Sequence, residues 1–125
     1  DYVTIVNQYV ENELLAAYVT QANVVVLPYR SATQSAVVQL AFGLGTPVIT
    51  TTVGGLPDVV EHGRNGLLVP PEDPAALAQA LNQYFAEQHQ PKFTANLAAY
   101  KQAFSWERLV EKMIKLVADS SATYE

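Results

Sequence analysis

The segment between residues 24 and 70 constrains the fold more than any other part of the chain. Short, largely apolar runs occur at residues 24–27, 48–50 and 67–69, and each is bounded by turn-forming residues. A continuous run of valine, isoleucine and leucine is typical of a strand that is buried on both faces, as in a parallel sheet. We therefore predict three parallel strands here, with residues 24–27 as a central strand.

Helix-forming segments separate these runs. Residues 36–43 carry apolar side chains at helical spacing, and Pro57 fits the first turn of a short helix over about residues 57–61. Asp73 followed by Pro74 predicts the N-cap and first residue of a helix over about residues 74–87. The alternation of strands and helices predicts an α/β, Rossmann-like parallel sheet with helices on both faces.

The elements outside this segment complete one predicted domain, residues 1–125, with about four strands. They follow from β-branched runs, helix caps and helical apolar spacing in the same way. They are a strand at residues 2–6, a helix at about 13–21 capped by Asn12, a helix that Pro91 opens, a last helix that Ser105 caps, and a disordered polar tail at 120–125.

Two polar turns, residues 31–36 and 51–57, each follow a strand and precede a helix. In a parallel sheet both then lie at the carboxyl edge, where such folds bind ligands. Free N–H groups at a helix start bind anions, and adjacent glycines let a ligand approach the main chain. Ordinary helix caps and a tight turn remain the alternative interpretation. The candidate binding residues are Ser31, Thr33, Gln34, Ser35, Ala36, Gly54 and Gly55.

Composition excludes several functions. The chain has 7 basic and 12 acidic residues, a net charge of −5, which disfavours nucleic acid and anionic membranes as partners. It has no cysteine, and its two histidines lack metal-ligand spacing, so no metal, cofactor or catalytic residue is assigned. No apolar run reaches the roughly 18 residues of a membrane span, and no signal peptide opens the chain. We expect a cytoplasmic protein.

Four motifs between residues 27 and 70 closely resemble the donor-binding half of retaining glycosyltransferases of family 4, which have the GT-B fold. The resemblance extends less sharply over residues 2–106. The motifs are Leu-Pro-Tyr at 27–29, Gly-Thr-Pro-Val-Ile at 45–49, Gly-Gly-Leu-Pro-Asp-Val-Val at 54–60 and Gly-x-Asn-Gly-Leu-Leu-Val-Pro at 63–70.

The resemblance implies a hexosyltransferase that moves a sugar, with retention, from a nucleotide-diphosphate sugar to an acceptor hydroxyl without a required metal. The turn at 31–36 would lie beside the donor sugar and diphosphate, as would Gly54 and Gly55. Leu68 and Val69 would lie near the base. All seven candidate residues would then be donor-binding.

The chain departs from the family pattern at two positions. The family carries two glutamates separated by seven residues, and the corresponding positions here hold Ala32 and Leu40. Neither side chain forms a hydrogen bond with a sugar hydroxyl. Gln34 is the preferred polar substitute, since Gln39 is expected to face away from the site.

The resemblance covers only the later part of the second domain of a GT-B enzyme. We therefore expect a truncated donor-binding domain that is inactive alone. A missing neighbour would leave the strand at residues 2–6 as an open sheet edge, which predicts a homodimer through that edge or through the C-terminal helices.

Two other functions are weighed against the enzyme. A receiver-like signalling domain has a similar length, but it needs an acidic pair after the first strand and an aspartate after a central strand, and both are missing here. A degenerate glycosyltransferase that only binds a partner is supported by Ala32 and Leu40 alone.

Overall fold

The computed structural model describes residues 3–32 and 35–103, which form a three-stranded parallel sheet with helices packed against it. In chain order the elements are α1 (Asn12–Gln21), β1 (Val25–Leu27), α2 (Ala36–Gly43), β2 (Val48–Thr51), α3 (Leu56–Val59), β3 (Gly66–Val69), α4 (Pro74–Ala86) and α5 (His89–Ala103).

The strand in the middle of this sheet is β2. The sheet order is β1-β2-β3, with Val25 paired to Val48 and Val48 paired to Gly66. All four residues of β2 are buried, whereas those of β1 are only half-buried. The prediction of a central strand at residues 24–27 is therefore wrong, because among the described strands β1 pairs with β2 alone.

Apolar cores cover both faces of the sheet, as predicted. Val48 packs in a cluster with Val38 and Phe42 of α2, whereas Ile49 packs with Tyr84 of α4. Successive residues of a strand point to opposite faces, so the two clusters lie on opposite sides of β2. Complete burial of an aliphatic or aromatic side chain contributes about 1.5–3 kcal/mol to folding. Both helical layers therefore stabilise the central strand.

Local signals located the helix starts with small shifts. Asp73 caps α4, since its Oδ1 accepts a hydrogen bond of 3.0 Å from the Ala76 N–H, and Pro74 follows it, as predicted. Asn12 is not a cap but the first residue of α1, after Glu11, whose side chain makes no capping bond. Pro91 lies within the first turn of α5, where its missing N–H costs no helical hydrogen bond.

The predicted strand at residues 2–6 is not formed over residues 3–6. Val3 is 78% exposed and Ile5 84% exposed, and neither belongs to a strand. A strand needs a partner for its backbone groups, and β1 pairs only with β2 among the described strands. The described strand count is thus three rather than four. Among the described strands, β1 and β3 are the two edges of the sheet, and the homodimer stays a prediction.

The helix that Ser105 was expected to cap and the tail at 120–125 lie outside the described residues. Within residues 3–32 and 35–103, no helix has both the length and the apolarity needed to cross a membrane.

Tyr84 joins α4 to the loop before β1 and supplies a pH-dependent prediction. Its side chain is buried, its hydroxyl donates a 2.6 Å hydrogen bond to the Asn23 carbonyl, and burial raises its pKa to about 12. An unfolded tyrosine has a pKa of about 10. The stabilisation from neutral Tyr84 is therefore complete below pH of about 10 and is lost as the pH rises toward 12. In an absorbance titration of tyrosinate, we expect one late component that Tyr84→Phe removes; an unchanged curve in that variant would contradict the assignment.

Candidate functional site

A cleft with a volume of about 340 Å³ lies between the start of α2 and the short helix α3. These two helices follow β1 and β2, so the cleft lies beyond the carboxyl ends of those parallel strands. This is the position at which the two polar turns were predicted to meet. The lining residues are Ser35, Ala36, Val38, Gln39, Gly55, Leu56, Asp58 and Val59.

Ser35 forms the corner of the cleft on the α2 side. It is the N-cap of α2, with an extended backbone (φ −131°, ψ 115°), and its Oγ accepts a hydrogen bond of 3.2 Å from the Val38 N–H. A second hydrogen bond of 3.1 Å joins this Oγ to the Tyr29 hydroxyl. The cap interpretation therefore holds for Ser35, and the same residue also borders the cleft.

The glycine turn supplies the opposite wall. Gly54 has a φ of +52°, a left-handed conformation that glycine adopts without strain. The turn closes through a 3.1 Å hydrogen bond from the Leu56 N–H to the Val53 carbonyl. Gly55 has an ordinary backbone conformation, so its contribution at the cleft is the absence of a side chain.

Two threonines of β2 fix the end of β1 at this edge. The Thr50 hydroxyl donates a 2.8 Å hydrogen bond to the Leu27 carbonyl, and the Thr51 hydroxyl donates a 2.7 Å bond to the Tyr29 carbonyl. Both threonines are buried, with exposed fractions of 0% and 3%. They tie the chain that enters the first polar turn to the central strand.

The structure brings together three of the seven sequence-predicted candidates: Ser35, Ala36 and Gly55 line one cleft. Ser31 lies in an exposed bend before the cleft, and Gly54 lies one residue outside the lining. Thr33 and Gln34 lie outside the described residues.

Two polar residues that line the cleft, Gln39 and Asp58, were not among the predicted binding residues. Gln39 borders the cleft, so the expectation that it faces away is wrong. Its position four residues after Ser35 places both on one face of the helix. Asp58 is the only acidic side chain among the described lining residues, and it lies in the first turn of α3, where the helix dipole favours a negative charge. None of the lining residues that the structure describes is basic.

The positions where the family pattern has glutamates are apolar in structure as well as in sequence. Ala32 and Leu40 are half-buried and pack against the cluster that contains Val38 and Phe42. A carboxylate at either position would lose hydration against apolar side chains. These two residues therefore contribute packing at the edge of the site.

Charged groups at the carboxyl edge are weakly coupled. Arg30, after β1, and Glu72, after β3, form an ion pair of 3.9 Å with side chains that are 85% and 68% exposed. A pair this exposed contributes little to stability. In the part of the chain that the structure describes, no group of three or more histidine, cysteine, aspartate or glutamate residues could hold a metal ion.

A family model described as "Glycosyl transferases group 1" matches residues 1–87, more than half of the chain. The chain belongs to this family. This membership excludes the receiver-like alternative and agrees with the resemblance of the four motifs. The glycosyl transferases group 1 match includes both polar turns and all three described strands.

Individual relatives agree with the family match. The D-inositol 3-phosphate glycosyltransferase of Corynebacterium urealyticum is 36% identical over 105 residues, which are 83% of this chain and 24% of that protein. Sucrose-phosphate synthase from Thermosynechococcus elongatus has a TM-score of 0.80 and 37% identity, over 96% of this chain and 30% of that one. The chain thus spans about a quarter of the length of the curated relatives it matches.

A more distant solved structure shares the fold alone. The Anabaena protein HepE in complex with UDP-glucose has a TM-score of 0.71 and 22% identity, over 84% of this chain and 30% of that one. Together with the synthase, it confirms the predicted GT-B type of α/β domain, with three described strands.

Proposed function

We propose that the chain is the donor-binding part of a retaining, hexose-transferring glycosyltransferase of family 4. The observation that carries this proposal is the meeting of Ser35 and Ala36, from the first turn, with Gly55, from the second, at one cleft beyond the carboxyl ends of the strands. Membership of the glycosyl transferases group 1 family supports the choice of a nucleotide-diphosphate sugar as the ligand.

The donor would be held by backbone and hydroxyl groups. The first N–H groups of α2 have no partner within the helix, and the helix dipole favours an anion there by about 0.3–1 kcal/mol, or about 2 when partly buried. Gly55 leaves space for the sugar or diphosphate against the main chain. The base would lie near Leu68 and Val69 at the end of β3. The remaining proposed contacts come from Ser31, Thr33, Gln34 and Gly54.

The reaction breaks the bond between the anomeric carbon and the diphosphate, forms one to the acceptor oxygen on the same face of the sugar, and passes the acceptor's proton to the departing nucleoside diphosphate. This chain would orient the donor and stabilise the leaving diphosphate, and no residue of it is assigned to proton transfer. No metal is required in this proposal. A cytoplasmic location stays a prediction.

Amide chemical shifts locate the donor directly. On titration with UDP-glucose, and with GDP- and ADP-linked glucose in parallel, we expect shifts at Ser35, Ala36, Gly54 and Gly55 for the preferred base. Gly63 lies in the loop before β3, away from the carboxyl edge, and serves as the internal control that should not move. Shifts at Gly63 alone, or none at either turn with all three probes, would refute the site.

The isolated chain is expected to bind a donor without transferring sugar, because it spans only 24% of the length of a curated relative. The measurement is release of nucleoside diphosphate from each nucleotide-sugar with the purified 125-residue chain. Turnover above the buffer rate would contradict this expectation.

A second candidate function is donor binding without catalysis even in a longer protein. The packing of Ala32 and Leu40 against the core, where the family pattern has glutamates, favours it. A longer protein that contains this sequence and transfers sugar would exclude the non-catalytic alternative.

A further inference from the structure

Tyr29 is fixed at the entrance to the first polar turn. Its N–H donates to the Leu27 carbonyl at 2.9 Å, and its own carbonyl accepts the Thr51 hydroxyl at 2.7 Å. Its ring is half-buried and packs against the core cluster of Val38 and Phe42. Two hydrogen bonds therefore hold the backbone of Tyr29 in place at the start of the turn.

The hydroxyl of Tyr29 forms a hydrogen bond with the side chain of Ser35. It lies 3.1 Å from the Oγ of Ser35, six residues later, and Ser35 is only 7% exposed. Three proposed donor contacts, Ser31, Thr33 and Gln34, lie between these two residues. The Tyr29–Ser35 bond thus joins residues on either side of them in the sequence.

The hydrogen-bond capacity of Ser35 gives this bridge a chemical consequence. A serine hydroxyl has two acceptor lone pairs and one proton. The Val38 N–H already occupies one lone pair at 3.2 Å. If the Tyr29 hydroxyl donates the second bond, both lone pairs are filled, and the Ser35 proton is left to be donated elsewhere. Ser35 borders the cleft, so an acceptor oxygen of a ligand bound there could receive that proton.

We propose that Tyr29 is a positioning residue that donates to Ser35 and thereby turns the Ser35 hydroxyl into a hydrogen-bond donor toward the ligand in the cleft. The inference rests on the proposed function and deepens it. Its chemistry requires an acceptor oxygen on the ligand, as a diphosphate or a sugar hydroxyl provides. Without the phenol, the Ser35 proton could instead rotate toward Tyr29's position or toward solvent.

The test is a double-mutant cycle on UDP-glucose affinity, measured by the amide shifts of the 125-residue chain. Tyr29→Phe keeps the ring and removes the hydroxyl, and it should raise Kd by about 2- to 10-fold, the equivalent of one hydrogen bond. Ser35→Ala should have a similar effect. In the Ser35→Ala background, Tyr29→Phe should change Kd by less than about twofold, because the two groups act as a unit. Tyr18→Phe, an exposed phenol on α1, is the matched control and should leave Kd unchanged.

A ligand-free readout separates the donor role from a merely structural one. The chemical shift of the ring carbon bonded to the Tyr29 oxygen reports whether that hydroxyl donates, because donation raises it. It should therefore fall in Ser35→Ala but stay unchanged in Ser35→Thr, which retains an acceptor and a proton. Ser35→Thr should also retain UDP-glucose affinity.

Each outcome decides a different claim. Three results would overturn this inference alone. They are an unchanged Kd in Tyr29→Phe, additive effects of the two substitutions in the cycle, and a Tyr29 ring shift that Ser35→Ala does not change. A wild-type chain that binds none of the UDP-, GDP- and ADP-linked probes would overturn the proposed function and this inference together.

Discussion

Replacing Gly66 with alanine is expected to lower the free energy of unfolding by about 3 kcal/mol or more, at the upper end of overpacking effects. Gly66 opens β3 and pairs with Val48 in the central strand. An added Cβ would overlap the Val48 carbonyl oxygen and would lie 3.0 Å from Cγ1 of Val60. Val48 is fully buried and paired on both sides, so the backbone has no direction in which to retreat.

Two other glycines make matched controls in the same urea-denaturation series. Gly43 ends α2 with no atom within 4 Å of an added Cβ, so Gly43→Ala should be neutral or stabilise by up to about 1 kcal/mol. Gly63 has equal space but a φ of +82°, which should cost Gly63→Ala about 1–2 kcal/mol. If Gly66→Ala were as stable as Gly43→Ala, the close approach of β3 to β2 would be incorrect.

The helix starts were predictable because their determinants are local. Asp73 and Pro74 together specify a cap and a first turn through bonds that span three residues, and the structure has them there. Strand order is different, since it depends on which apolar runs become neighbours. Residues 25–27 and 48–51 look alike in sequence, but among the described strands only Val48–Thr51 has a neighbour on both sides. A pattern of apolar residues alone does not determine that pairing.

The same distinction applies to the N-terminal segment. Residues 3–6 have β-branched side chains suited to a strand, but propensity forms no strand without a partner for the backbone. Val3 and Ile5 are accordingly exposed. Their residue types favour a strand, but among the described residues no strand pairs with them.

At the candidate site, sequence reasoning identified the turns better than the side chains. Ser35, Ala36 and Gly55 follow from the rule that polar turns after parallel strands share an edge. Gln39 and Asp58 were not selected, because their exposure to the cleft depends on how α2 and α3 pack together. Counting four residues from Ser35 would have placed Gln39 on the correct face.

Ala36→Glu is expected to weaken nucleotide-sugar binding by about 10- to 100-fold without destabilising the fold. Ala36 is exposed, is the first residue of α2 and borders the cleft. A glutamate there would add a second negative charge beside the cleft, which Asp58 already borders. The new carboxylate would repel the diphosphate of the ligand, and at a few ångströms near a protein surface such repulsion is worth several kcal/mol before screening. The same charge interacts favourably with the helix dipole and should stabilise α2 by about 0.3–1 kcal/mol.

This opposition between binding and stability makes the variant diagnostic. A general structural defect would lower affinity and stability together, whereas the proposed diphosphate site requires affinity to fall while the urea midpoint holds or rises. Ala36→Gln has nearly the same size without the charge, so the affinity gap between the two variants isolates the electrostatic part. Asp58→Asn should bind a nucleotide-sugar as well as the unchanged chain or better, since it removes the acidic group native to the cleft. If Ala36→Glu binds as tightly as Ala36→Gln, no anionic group of the ligand approaches the start of α2, and the donor must lie elsewhere on the carboxyl edge.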